Sequence, residues 1–385
     1  MNIWSSMLAS AVNAKVIDTR TLLLLGGNAE LQMNFVGQLV LSGQDTYTVK
    51  SSGSIAANAF GLGYLHLSVL ERDQEDVILE LDIYTLSRIY ESYADIIISL
   101  IQRSNFKMEH MFVVTILDWE QPRGWIRSLA KCIRFLKFSV FENADQDIID
   151  NSFTKCAERY QKLASTVFSE SPNTATISNV AMPLKKGEYD APLGVELLVA
   201  VMNSEKLEML EKQLGRKDDE FDFIQQFLRT ILLKHGASLV YLSSSSRTLF
   251  PLLFYALSPS ISLSSQSVST AIIEASKKIR PNVVDRDAIL IPPGWDSWSK
   301  IELINEGFDV SGVSSGWASD VLDRDGDAEG FIEVYEESAH AFAGGTGGHD
   351  ITIDVEPSLE LLSTDDQKFL KHQLEEMNRK SAEAI

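Results

Sequence analysis

Short, wholly apolar runs punctuate this chain, separated by longer stretches in which apolar residues return every third or fourth position. The runs at 21–25, 111–117, 194–202 and 237–242 are too short for helices and carry no polar face. Such runs predict strands buried on both sides of a parallel sheet. Two further segments, 61–70 and 76–87, alternate apolar and polar residues on either side of the charged 71–75, which predicts an antiparallel hairpin. The helical period predicts helices over 29–39, 89–102, 122–141, 146–168, 221–235 and 248–257. The polar stretches 42–53 and 169–184, containing glycine or proline, are expected as loops.

Strands near 21, 61, 76, 111, 194 and 237 with helices between most of them fit an α/β, doubly wound, six-stranded sheet. It is mostly parallel with one antiparallel hairpin, the order of a Ras-like GTPase fold. Four pieces follow: an N-terminal amphipathic helix at 1–15 and a Ras-like domain at 16–310; then an acidic, glycine-rich linker at 311–362 and a charged C-terminal helix at 363–385. The domain's last part, 281–310, is dense in aromatics and prolines. The first helix puts Ile3, Trp4, Met7 and Leu8 on one side, which must be buried in its own domain or in a partner's groove.

The first strand runs into Gly26-Gly27 and then a helix, the opening unit of a nucleotide-binding sheet. A phosphate loop, GxxxxGK[ST], needs a second glycine to wrap the phosphates, a lysine on their charge and a hydroxyl on Mg²⁺. Counting from Gly26, those places hold Leu31, Gln32 and Met33, and Glu30 beside them would repel a phosphate. Where DxxG should follow the third strand stands Ser87-Arg88-Ile89-Tyr90. Where NKxD should follow the fifth stands Asn203-Ser204-Glu205, with Glu205 a weak imitation of the guanine-reading carboxylate. With all three degraded, no nucleotide cofactor and no GTPase catalysis are expected. The alternative is a GTP- or GDP-binding switch protein with unusual motifs.

Composition narrows the partners. The formal charge of 34 − 54 = −20 leaves no basic footprint for nucleic acid or anionic lipid. No apolar run reaches the roughly 18 residues of a membrane span. Cys132 and Cys156 have no metal-like spacing and fit a reducing, cytoplasmic interior. His235 is expected at a helix C-terminus, where an imidazolium would favour the dipole. His340 and His349 lack the neighbours a zinc site needs, and no metal is expected. Asp118, Asp285, Asp287 and Asp296 are expected to be structural.

Several segments resemble the dynein light intermediate chains. They are Trp4-Ser5-Ser6, Leu117-Asp118-Trp119 with Pro122, Phe221-Asp222-Phe223-Ile224-Gln225, and the run from His235 to Tyr241. The most specific is Val284-Asp285-Arg286-Asp287 followed by Pro292-Pro293-Gly294-Trp295-Asp296-Ser297-Trp298. The resemblance implies a non-catalytic subunit of the cytoplasmic dynein motor, on microtubules only indirectly. Its Ras-like domain would pack on the heavy-chain tail, and a C-terminal region beyond Ile385 would bind cargo adaptors. The departure at Leu31, Gln32 and Met33 is one that fungal-type members share. Tryptophan is enriched at the energetic centres of interfaces. Some of Trp119, Trp125, Trp295 and Trp298 are therefore expected to supply an exposed aromatic patch for the heavy chain; the alternative is that the two tryptophans of Pro292–Trp298 close over the domain's own sheet. The N-terminal helix, through Trp4, Met7 and Leu8, is the second expected contact.

Overall fold

The computed structural model describes most of residues 18–340. Outside the description are 1–17, 55–61, 72–76, 168–175, 178–183, 213–217, 258–278, 323–329 and 341–385, with a few single positions between. Trp4, Met7 and Leu8 and the helix expected at 363–385 therefore lie outside the described residues.

The strands of the main sheet are β1 (Asp18–Leu25), β2 (Tyr47–Ser54), β3 (Leu62–Glu71), β4 (Val77–Leu86), β5 (Met111–Asp118), β6 (Glu196–Met202), β7 (Ser238–Leu242) and β8 (Leu290–Ile291). They form one sheet of eight in the order β8-β7-β6-β5-β1-β4-β3-β2. Pairings among β4, β1, β5, β6 and β7 are parallel. Those of β2 with β3, β3 with β4 and β8 with β7 are antiparallel.

The apolar runs became the central strands because both faces of those strands are covered. Leu22 and Leu24 of β1, Val114 and Ile116 of β5, and Leu198 and Ala200 of β6 point to one core. There they meet α1 (Ala29–Gln44) and α6 (Leu249–Leu257). Their neighbours Leu23 and Leu25, Val113 and Leu117, and Val199 and Val201 point to the other. That side is closed by α2 (Ala94–Ile101), α3 (Trp125–Arg134) and α5 (Asp218–His235), with α4 (Gln146–Ala164) at its margin. At about 2 kcal/mol per buried leucine, such two-sided burial outweighs any local preference.

Two expectations are corrected. Among the described residues four strands were not predicted: β2, placed in the stretch read as a loop, the two-residue β8, and a separate antiparallel pair, Thr166–Val167 with Thr176–Ile177, which falls at the end of the helix expected to reach 168 and in the loop expected at 169–184. The sequence of β2, YTVKSSGS, is polar because it is the edge strand; Tyr47 turns inward against Phe250 and Phe254, and Val49 packs on the same core. The stretch read as a linker from 311 is helical where it is described. Beyond the short α7 (Trp298–Glu302), α8 (Val310–Val321) and α9 (Gly330–His340) put Trp317, Val321, Ile332 and Tyr335 into the same core as the sheet. Glycine and acid content misled here: Glu333 and Glu337 face solvent, but Asp320 is buried, accepting the Phe331 N–H, and Glu336 is drawn in by Arg127. Polar bonds reinforce the docking. Arg127 of α3 forks onto Glu336, with Nε to Oε1 at 2.6 Å and Nη2 to Oε2 at 3.1 Å, and the Tyr335 hydroxyl donates to the Pro122 carbonyl at 2.7 Å. Among the described residues no helix is long and apolar enough to cross a membrane.

Candidate functional site

The crevice where a Ras-like sheet takes its nucleotide lies at the C-terminal ends of the parallel strands. Here only Gly26, Gly27 and Asn28 separate β1 from α1. Both glycines take left-handed backbone, φ 73° and 65°, which their lack of Cβ permits. The Gly26 N–H donates to the Leu86 carbonyl at 3.1 Å, tying the turn to the end of β4. Asn28 caps α1, its Oδ1 accepting the Leu31 N–H at 2.8 Å. Gln32, 1 % exposed, folds back over the turn and donates Nε2 to the Gly26 carbonyl at 2.9 Å.

This turn does not fit a phosphate. Three residues are too few to wrap one, and the Leu31 N–H, one of the donors a helix N-terminus offers an anion, is already taken. The cation position holds a neutral clasp. Leu31 is buried in the core beneath α1, and Met33 points to solvent. Neither the Asn28 cap nor the Gln32 clasp was read from the sequence.

The other two motif positions are equally changed. Ser87, half-buried, directly follows the Leu86 carbonyl that holds Gly26. Asn203, at φ 62°, donates Nδ2 to Asp118 Oδ1 at 2.8 Å, and that oxygen also accepts the Glu120 N–H at 3.0 Å. Glu205 faces solvent and does not imitate a base-reading carboxylate. Counting from Asn203, that carboxylate belongs at 206, where Lys206 pairs with Glu120. The hydrogen bond that Lys206 donates to Glu120 is the main cause raising the pKa of its ammonium above the ordinary value.

The four tryptophans separate into two pairs. Trp119 and Trp125 are 1 % and 2 % exposed, and their rings meet edge to face at 4.6 Å with Tyr241 beside them. The Trp125 Nε1–H donates to the Asp118 carbonyl at 2.6 Å. Both are core residues, which corrects the surface role expected of them: the turn after β5 folds them inward over the sheet. Trp295 and Trp298 are half-buried. Ammonium groups stand over both, Lys300 at 3.8 Å from the Trp295 ring centre and Lys186 at 5.1 Å from that of Trp298. Between them Asp296 is buried on Arg229, with Nε to Oδ2 at 2.8 Å and Nη2 to Oδ1 at 2.7 Å. Gly294, at φ 76°, passes so close to α4 that a Cβ there would lie 2.6 Å from the Ala164 nitrogen. The buried pair and the glycine fix the segment and leave both indoles at its surface.

One constellation became visible only in three dimensions. On β3 and β4, His66 Nδ1 lies 3.0 Å from Asp82 Oδ1, Ser68 Oγ lies 3.3 Å from His66 Nε2, and the Tyr64 hydroxyl donates to Asp82 at 2.7 Å. The cross-strand register, which pairs His66 with Asp82, brings them together. The order is that of a hydrolytic triad, but β3 is paired on both edges. Its N–H groups are therefore committed to the ladder and cannot form an oxyanion hole. Among the described residues no group of three His, Cys, Asp or Glu is placed to hold a metal.

A family model described as "Dynein light intermediate chain (DLIC)" matches residues 1–323. The human cytoplasmic dynein 1 light intermediate chain 1 is 25 % identical over 332 residues, which are 80 % of this chain and 56 % of the human one. Its Dictyostelium discoideum counterpart is 30 % identical over 131 residues, 34 % of this chain and 24 % of that protein. The chain thus spans about half the length of the human relative, and less of the Dictyostelium one. A solved structure titled "Crystal Structure of the Dynein Light Intermediate Chain's Conserved Domain" is 30 % identical. It superposes with a TM-score of 0.65 over 84 % of this chain and 98 % of that one. The fold is accordingly Ras-like, and the chain belongs to the dynein light intermediate chain family.

Proposed function

We propose that this chain is a non-catalytic subunit of cytoplasmic dynein, in which a Ras-like domain serves as a nucleotide-free scaffold on the heavy-chain tail. The Gln32–Gly26 clasp carries the first part of this reading. A closed three-residue turn with a neutral side chain across it offers neither cradle nor cation to a phosphate. Family membership supports the second part. In the same reading the subunit links the motor to cargo adaptors, and microtubules are reached through the motor, in the cytoplasm. Of the expected heavy-chain contacts, Trp295 and Trp298 keep surface, on a segment held by Asp296 and Gly294.

Two measurements test this. Protein purified without added nucleotide and then denatured should release none, and stoichiometric GDP or GTP would favour a switch protein instead. Co-purification with a dynein heavy-chain tail fragment should succeed for wild type and fail for Trp295→Ala plus Trp298→Ala, with circular dichroism unchanged. A tail fragment that ignores wild-type protein would overturn the scaffold reading.

A further inference from the structure

An open groove of about 500 Å³ lies between α5, α9 and the turn that leads into α8. Its lining is aromatic: Phe223 and Phe227 from α5, Phe308 from the turn and Phe331 from α9, with ring centres 4.9 to 6.5 Å apart. Val334 of α9 extends this surface outward and is 56 % exposed. No lysine or arginine is among the described residues lining the groove, whereas Asp309 is. On α9, exposed Glu333 and Glu337 flank Val334.

We propose that this groove binds an amphipathic helix of a partner protein, one with an apolar stripe flanked by lysine or arginine. Two helices with a gap between them accept a third by ridge-in-groove packing, and apolar residues at helical spacing would seat on the phenylalanines. The acidic margin selects the flanks: Asp309, Glu333 and Glu337 attract cations and repel an acidic helix. A second copy of this chain is a poor occupant on the same ground, since each copy carries a net charge of −20. Neither Trp295 nor Trp298 lines the groove, so the proposal stands apart from the heavy-chain reading.

The test is fluorescence anisotropy on the full chain with a dye-labelled synthetic peptide of about 18 residues, five helical turns, having leucines at helical spacing and lysines elsewhere. A scrambled peptide of the same composition without the stripe serves as control. Wild type should bind the striped peptide at least about tenfold more tightly than the scrambled one. Val334→Gln, an exposed and charge-neutral change, should remove most of that difference, as should Phe308→Ala if its circular dichroism is native. Trp295→Ala plus Trp298→Ala should leave it intact. Equal binding of both peptides would reduce the effect to general acidity and overturn the proposal, as would variants that bind like wild type. A concentration-dependent dimer in sedimentation velocity, abolished by Val334→Gln, would overturn it in favour of a second copy.

Discussion

The indole N–H of Trp317 donates to Nε2 of His235 across 2.8 Å, joining a helix of the expected linker to the end of α5. The opposite ring nitrogen, Nδ1, lies 2.6 Å from the Ala191 carbonyl. With one nitrogen accepting from Trp317 and the other donating to Ala191, the ring is neutral. Burial lowers its pKa to about 4; the Ala191 bond opposes this, and Lys234 and Lys137 add to it. The imidazolium expected at this helix end is therefore corrected, because desolvation outweighs the dipole.

Acid should weaken the fold through this ring. In the unfolded chain His235 titrates near 6.5, so between pH 6.5 and about 4 the unfolded state binds a proton that the folded state does not. Stability from this group is full above pH 6.5 and falls as pH drops to about 4, by about 3 kcal/mol in all. Urea midpoints for wild type and His235→Gln, followed from pH 7 to pH 4, should differ in slope in that sense. Parallel curves would remove the ring from the account.

Restoring a lysine should not restore a nucleotide site. Gln32→Lys leaves the turn three residues long and Asn28 on its N–H, so titration with a fluorescent guanine nucleotide should show no binding. Gln32→Ala strands the Gly26 carbonyl and should cost about 1–2 kcal/mol in urea melts. Micromolar binding by Gln32→Lys would mean the turn is more open than its bonds indicate.

The Arg229–Asp296 pair is buried on both sides, so removing one partner should hurt more than removing both. Asp296→Leu leaves an unpaired guanidinium inside and should cost about 3–5 kcal/mol, whereas adding Arg229→Met to it should recover most of the loss. A double-mutant cycle reads the difference, and additive losses would refute the coupling.

Gly294→Ala combines a left-handed backbone with a Cβ 2.6 Å from the Ala164 nitrogen, and backbone atoms cannot step aside. A loss of about 1–3 kcal/mol is expected from the strain alone. The same change should loosen Trp295 and Trp298, visible as a red shift of tryptophan emission. An unchanged melting temperature would show that the close approach is not maintained.

Much of this fold could be read along the chain. The runs within β1, β5, β6 and β7 are apolar at nearly every position, Thr115, Glu196 and Ser238 aside, because both their faces are covered, and covering both faces leaves a signature in consecutive residues. The alternating hairpin of β3 and β4 and the glycine turn after Leu25 are likewise local patterns. So is the loss of Lys and Ser/Thr at Gln32 and Met33. What the chain alone did not disclose depends on residues distant in sequence. The inward turn of Trp119 and Trp125 is settled by Tyr241, more than a hundred positions away. The docking of α8 and α9 is settled by His235 and Arg127, and the meeting of Ser68 and His66 with Asp82 by a strand register. Periodicity reports which side of an element prefers water. Only the packed structure determines which neighbour removes it from water, because that choice is made by complementary surfaces on distant parts of the chain.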